Sequence, residues 1–415
     1  MMELLKTRNL SGLAGGLLYV IMMAAGYTYN LTFVQLGLED FASRLLGLSA
    51  RSVARDMALL AVGTCLTALL FGAWMQRQGM GFRKKLQMSF WVVVAQAGLT
   101  FLCPLIQNEA IFLIWLAGTS LALGVGVPVM FSMAVDLVPV RLRGEAAAFI
   151  TAGAYFVAEA LTSEWTFEAF RLQNLLLLAA GVASLGLLAF TRLPWLDRLA
   201  MQHTLPEYGR GRFLQQKKAD YRMIGLIVIM FGIYFVDSLG FLRLLKTPQY
   251  MTAAWQSPEL NTRLFIAGVH IAAALAGGIL YRALSPRHLF AWIFGIFALT
   301  HLQYSLDLRL GGPTAILSMP MLYATGVSLY TVVNFAVWAD ISTPQTICLN
   351  SAVGVAFSAW TATFLSTGLA IHWQESLPLM RHIQIVDSLA ILFFLMILAL
   401  IYMRPGRIET EKVQA

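Results

Sequence analysis

Charge is scarce in this chain. Lysine, arginine, aspartate and glutamate make up 12% of its 415 residues, whereas 59% are hydrophobic and the mean hydropathy is +0.71. A water-soluble surface needs about a quarter of its residues charged, so a soluble globular protein is excluded. Cysteine is almost absent: Cys65, Cys103 and Cys348 each fall inside an apolar run. Their spacing matches no disulfide framework and no zinc site, so neither a metal nor a cofactor is expected. Also missing are a phosphate-cradling Gly-x-x-x-x-Gly-Lys, a His-Glu-x-x-His and an aspartate-rich metal pair. The chain is therefore not expected to be an enzyme. Basic residues outnumber acidic ones 29 to 21, for a net charge of +8. No basic stretch is interleaved with solvated aromatic residues, so nucleic acid is not an expected partner.

What remains is hydrophobic length. A spanning helix needs about 20 mostly apolar residues, because each rises about 1.5 Å through about 30 Å of hydrocarbon. Twelve stretches qualify: 11–37, 55–75, 86–106, 110–136, 145–162, 171–191, 223–243, 262–281, 289–306, 314–338, 346–371 and 385–403. The first comes after Lys6 and Arg8 and runs on too long for a signal-peptide core, so an uncleaved span is expected. With the N-terminus placed inside, 20 of the 29 Lys and Arg fall on inside segments and 9 on outside ones. Seven of the inside residues lie between Thr191 and Tyr221 or just past it: Arg192, Arg198, Arg210, Arg212, Lys217, Lys218 and Arg222. Cytoplasmic connections carry such an excess, so a multi-pass cell-membrane protein with both termini cytoplasmic is expected.

That polar interval divides the spans six and six. The expected organisation is an N-terminal bundle at 1–192, a central cytoplasmic loop at 193–222, a C-terminal bundle at 223–404 and a tail at 405–415. The two bundles read as copies. Gly72 to Arg77 precedes the third span as Gly277 to Arg282 precedes the ninth, at an offset of 205. Asp136 and Pro139 end the fourth span as Asp340 and Pro344 end the tenth. Tyr27 and Asn30 in the first span match Tyr234 and Asp237 in the seventh, at an offset of 207. Several matches in one order at nearly one offset indicate an internal duplication. The expected fold is all-α, with twelve transmembrane helices in two pseudo-symmetric six-helix bundles.

Between spans two and three, Gly72, Arg77, Gly79, Arg83, Lys84 and Lys85 resemble the Gly-x-x-x-Asp-Arg-x-Gly motif of the major facilitator superfamily, with Gln76 in place of the acid and Tyr281 in its place in the second copy. Asp136, Pro139, Arg143 and Gly144 resemble that family's acid-x-x-Pro then Arg-Gly feature. The resemblance covers the whole chain and implies a secondary transporter working by alternating access. It also implies a gating clasp drawn from Gly72, Arg77, Arg83, Asp136, Arg143, Gly144, Arg282 and Asp340, with Asp136 against Arg143 or Arg77 as the pair to test first. The Gly-Pro signature of the family's drug and proton exchangers is absent from Gly153 to Glu159.

Polar groups inside spans are costly, about 2.5–3.5 kcal/mol for a central charge on insertion scales, so each should face a cavity or a partner. Asp237 lies about 21 Å along its span from the inner end, at the helical rise, and Glu159 and His270 reach similar depth. Tyr234 and Asp237, and likewise Tyr27 and Asn30, are three residues apart and share helix faces. These six residues are the candidates for substrate or coupling-ion contact. Gln96, Asn334 and Asn350 are expected to bond between helices. Tyr27, Tyr29, Trp91, Tyr155, Tyr234, Tyr330 and Trp360 are candidates to line an aromatic cavity. No Lys or Arg lies deep in a span, which leaves an organic anion without a fixed cation to hold it. The expected partners are a small neutral, amphipathic or cationic solute and membrane lipid. The alternative is a non-transporting protein of the same fold that binds a protein partner or lipid and assists assembly.

Overall fold

Twelve long helices carry the chain, and no strand occurs among the described residues. The computed structural model describes residues 10–161, 164–209, 211–214, 219–311 and 316–402. The tail at 405–415 and the side chains of Lys6, Arg8, Arg210, Lys217, Lys218, Arg222, Arg404, Arg407 and Lys412 lie outside them. The helices are α1 (Gly12–Leu45), α2 (Ala50–Gln78), α3 (Phe82–Leu102), α4 (Glu109–Ser132), α5 (Arg143–Ala160) and α6 (Phe167–Phe190) in the first half. The second half holds α7 (Ala219–Leu245), α8 (Leu260–Ala283), α9 (Pro286–Arg309), α10 (Ser318–Asp340), α11 (Ile347–Gln374) and α12 (Leu379–Tyr402).

Eleven of the twelve are long and apolar enough to cross a membrane. The exception is α5, whose 18 residues include Arg143, Glu145 and Glu159. Those three charges are buried or paired inside the protein, so α5 does not need to satisfy lipid by itself. Most helices extend a few residues beyond the apolar stretches that define them in the sequence. Their ends reach the headgroup layer, where polar side chains are tolerated and hydropathy no longer marks the helix. Lipid-facing residues such as Leu70 and Ile114 stay exposed, whereas α10 is buried along most of its length.

The halves meet along two seams built on small residues. At the first, α2 lies against α11: a Cβ at Gly72 would stand 2.9 Å from the Cys348 carbonyl and 3.0 Å from Ala352 Cβ. At the second, α5 crosses α8 where Gly144 and Gly278 face each other's backbone; a Cβ at Gly278 would stand 2.8 Å from the Gly144 carbonyl. Glycine lets the two backbones approach closely, which is how helices associate without a hydrophobic driving force in lipid. Both contacts lie near the face that carries the central segment, here called the loop face.

Two helices depart from regular α geometry beside the interior. In α1 the turns widen to π-type over Asn30–Gly37, and in α11 over Ala352–Trp360. Wide turns of this kind re-aim side chains within a continuous helix and are enriched at functional sites.

Replacing Gly72 by valine should wedge the first seam open. The native thiol of Cys348, buried there, is then expected to react with a membrane-impermeant maleimide about ten-fold faster or more than in the unaltered chain, since overpacking of this kind costs about 1–3 kcal/mol. An unchanged labelling rate would contradict the seam.

Candidate functional site

The candidate site is a cavity between the halves, displaced toward the face opposite the loop face. Five of the sequence candidates line it: Tyr27, Glu159, Tyr234, Asp237 and His270. The sixth, Asn30, lines a second cavity on the loop-face side, together with Gln96 and Asn334. Tyr27 and Tyr234, the matched residues of the two copies, border both cavities.

Asp237 is buried and carries two hydroxyl donors. Tyr323 Oη donates to Asp237 Oδ1 at 2.7 Å and also to its carbonyl, and Tyr330 Oη donates to Oδ2. Both tyrosines come from one face of α10, about two turns apart; Tyr323 packs edge-on against Phe297 and Tyr330 against Tyr234. No Lys or Arg is found among the cavity's described lining residues. Across the cavity, Glu159 of α5 meets His270 of α8: His270 Nε2 lies 2.8 Å from Glu159 Oε1, and His270 Nδ1 lies 2.8 Å from Ser328 Oγ. Tyr155 stacks on the His270 ring at 4.4 Å and shares a hydroxyl contact of 2.9 Å with Tyr27. A polar path thus joins α1, α5, α8 and α10 across both halves.

The loop face is sealed by a buried ion pair. Arg143 at the start of α5 donates to Asp340 Oδ1 at 2.9 Å, to the Ala339 carbonyl at 2.9 Å and to the Tyr208 carbonyl at 2.7 Å. Tyr281 Oη, standing where the family motif has an acid, donates to Asp340 Oδ2 at 2.9 Å. The central segment is laced into the same knot, since the amides of Gly211 and Phe213 donate to the Ser342 and Asp340 carbonyls at 3.1 and 2.8 Å. Arg212 donates to the Tyr281 and Arg282 carbonyls, capping the end of α8.

The expected pairing of Asp136 with Arg143 or Arg77 does not occur. Asp136 Oδ2 accepts instead from Lys85 Nζ at 2.7 Å, and Arg77 is solvent-exposed. The family motif places Arg77 at the end of α2, but the helix rotates it outward while Lys85, one turn into α3, points to the end of α4. Arg83 reaches Asp197 at 3.2 Å, and Arg282 bridges to Glu145 of the other half at 2.8 Å. Gly72 and Gly144 act in the two seams rather than in ion pairs. Of the aromatic candidates, Tyr155 and Tyr330 line the first cavity and Trp360 the second, Tyr29 is buried against Thr100, and Trp91 faces outward at 59% exposure. Asn334 accepts from Trp338 of its own helix, whereas Asn350 of α11 donates to Ser342 beyond the end of α10.

The opposite face has a lighter closure. Glu39 of α1 accepts from Lys246 at 2.9 and 3.0 Å, and Trp165 approaches Phe241 at 6.3 Å. Glu39 and Lys246 differ by the same 207 positions as Tyr27 and Tyr234. Equivalent positions of a duplicated fold meet on its two-fold axis, where identical residues would repel if charged. Here the copies have diverged to opposite charge and attract. This pair, together with the roles of Lys85, Tyr281 and Tyr323, was missed in the sequence, although the repeat offset alone points to Glu39 and Lys246.

In fold the chain is similar to the human organic anion transporter MFSD10 (TETRAN), whose crystal structure superposes with a TM-score of 0.62 over 93% of this chain and 99% of that one, at 14% identity. No protein-family model and no curated protein sequence matches the chain. The chain is a multi-pass helical membrane protein that shares the fold of the MFSD10 structure.

One contact of the loop-face seal depends on pH. His203 lies half-buried with Nδ1 3.4 Å from Asp136 Oδ1, and that carboxylate raises its pKa above 6.5 against the opposing effect of burial and Lys85. A raised histidine pKa means the contact is complete below pH 6.5 and is lost as pH climbs through the raised value. Because the thiolate fraction of Cys348 itself grows with pH, the seal is read as the ratio of the wild-type labelling rate to that of His203→Gln, which should rise with pH by no more than about five-fold, since a pair this exposed contributes about 0–1 kcal/mol. A wild-type pH profile in that variant would remove His203 from the seal.

Proposed function

We propose that the chain is a secondary active transporter of the major facilitator superfamily, moving a small neutral, amphipathic or cationic solute across the cell membrane by alternating access. The observation that carries this reading is a cavity shared by both halves and bounded by two separable closures of unequal weight. Halves at 1–192 and 223–404 rock about the cavity, joined by the segment at 193–222, with the loop face and both termini cytoplasmic. That orientation rests on the Lys and Arg bias of the loops.

Each step is set by the contacts. With the loop-face knot of Arg143, Asp340 and Tyr281 formed, loss of Glu39–Lys246 exposes the cavity to the opposite face. Separation of Gly144 from Gly278 and of Gly72 from Cys348 exposes it to the loop face. Asp237, held by two tyrosines of α10, binds the solute or a proton, and its occupancy biases the exchange. Glu159 and His270 join α5 to α8 on the far side of the cavity and are broken or reformed as the halves move. The organic-anion description belongs to MFSD10; at this identity only its fold transfers.

Proteoliposome flux across a panel of solutes, with and without a pH gradient, tests the reading. Flux should fall at least ten-fold in Asp237→Asn and persist in Asp237→Glu, given the cost of removing the buried charge at the centre of the site. Undiminished flux in both would retire Asp237. If solute binds and no flux occurs in any condition, the chain is instead a binding protein of transporter fold.

The lighter closure gives an independent check. Lys246→Glu should favour the state open to the face opposite the loops, raising labelling of a cysteine placed at Ser238 in the cavity wall. The exchanged pair Glu39→Lys with Lys246→Glu should return labelling to the wild-type rate; failure of the exchange to restore it would contradict a direct pairing.

A further inference from the structure

We infer that the cavity is built for a monovalent organic cation, an amine or quaternary ammonium on an aromatic or alkyl body, seated between Asp237 and the surrounding tyrosine rings. This deepens the transport reading and rests on it only for the passage of the bound cation across the membrane, not for its binding.

The charge balance of the cavity points this way. Its titratable lining groups are Glu159, Asp237 and His270, apart from tyrosines. His270 shares a hydrogen bond with Ser328 through Nδ1, and its Nε2 stands 2.8 Å from Glu159 Oε1 without hydrogen-bond alignment. Two of these three groups are acidic, and no ammonium or guanidinium is found among the described lining residues. Glu159 Oε2 has no hydrogen-bond partner although the residue is only 4% exposed. Holding a carboxylate ionised in a buried site without a basic neighbour is costly, and a cation seated beside Asp237 offsets that cost.

The walls select the kind of cation. Tyr330 and Tyr323 satisfy one site on each Asp237 oxygen, so the carboxylate is held in place yet keeps lone pairs free toward the cavity. The rings of Tyr234 and Tyr330 pack edge to face at 4.8 Å, and Tyr27 stands edge-on to Tyr155 at 5.8 Å. Aromatic faces carry negative electrostatic potential and bind ammonium groups, most strongly when water is excluded. Such a cage suits a diffuse organic cation better than a hydrated metal ion, which prefers several convergent oxygens. An anion meets two carboxylates and no fixed donor of positive charge.

Three probes of nearly one shape separate charge from bulk: phenyltrimethylammonium, neutral benzenesulfonamide and anionic benzenesulfonate, titrated calorimetrically into the full chain in nanodiscs. The ammonium compound should bind at least about ten-fold more tightly than the sulfonamide, with no measurable heat from the sulfonate. Asp237→Asn should remove the advantage of the cation while sulfonamide affinity is retained, showing that the variant is folded, and Asp237→Glu should keep it. The inference is overturned if the sulfonate equals the cation, if the cation's advantage survives Asp237→Asn, or if none of the three binds. Uptake of the same ammonium compound into proteoliposomes is read separately. Binding without uptake overturns transport and leaves the cation site standing; uptake confined to the neutral probe overturns the cation site and leaves transport standing.

Discussion

Arg143 is the residue on which the closed loop face depends. It leaves α5 of the first half, enters the second half, and is bonded there by Asp340, by the Ala339 carbonyl and by the Tyr208 carbonyl of the central segment. Tyr281 satisfies the remaining Asp340 oxygen. Removing one member of such a buried pair strands the other, at a cost of about 3–5 kcal/mol, whereas separating both into water together costs far less. The knot is therefore stable while the halves are shut and releasable when they part as rigid bodies. The glycine seams beside it serve the same end, since backbones in contact can separate without unthreading side chains.

The two closures differ in a way that gives the molecule a preferred state. The loop face has the buried pair Arg143–Asp340, the bridge Arg282–Glu145 and a segment of the central loop stitched across it. The opposite face has Glu39–Lys246, in which the lysine is about one-third exposed and so partly screened. The cavity lies nearer the weaker side. An ion pair formed by equivalent positions of the two copies is a simple latch, because a duplicated fold brings those positions together without further adjustment and needs only one copy to change sign.

Much of this architecture was legible in the sequence because lipid makes polarity conspicuous. Twelve apolar stretches, the Lys and Arg bias and the repeat offset near 205 pointed to the two bundles, and Tyr27, Glu159, Tyr234, Asp237 and His270 stood out as polar groups in spans. Their pairing was not legible. Hydropathy fixes depth but not rotation, so Arg77 and Lys85 could not be ranked as partners for Asp136, and it is rotation that turns one outward and the other inward. The bonds from Tyr323 and Tyr330 to Asp237 were hidden for a different reason: a tyrosine in an apolar helix reads as core or cavity wall until a carboxylate is found beside its hydroxyl. The widened turns of α1 and α11 were invisible because helices apolar both toward lipid and toward their neighbours have no apolar stripe whose period could betray a change of pitch.

Alternation of the two closures is tested most directly by distances measured on both faces of one preparation. Spin-label pairs at Lys84 and Ala283 on the loop face and at Ser49 and Thr252 on the other would be compared in nanodiscs with and without a bound cation. Two populations are expected on each face, with the loop-face distance lengthening as the opposite one shortens. A single distance on each face, unmoved by ligand, pH or Arg143→Ala, would contradict a rocking pair of bundles.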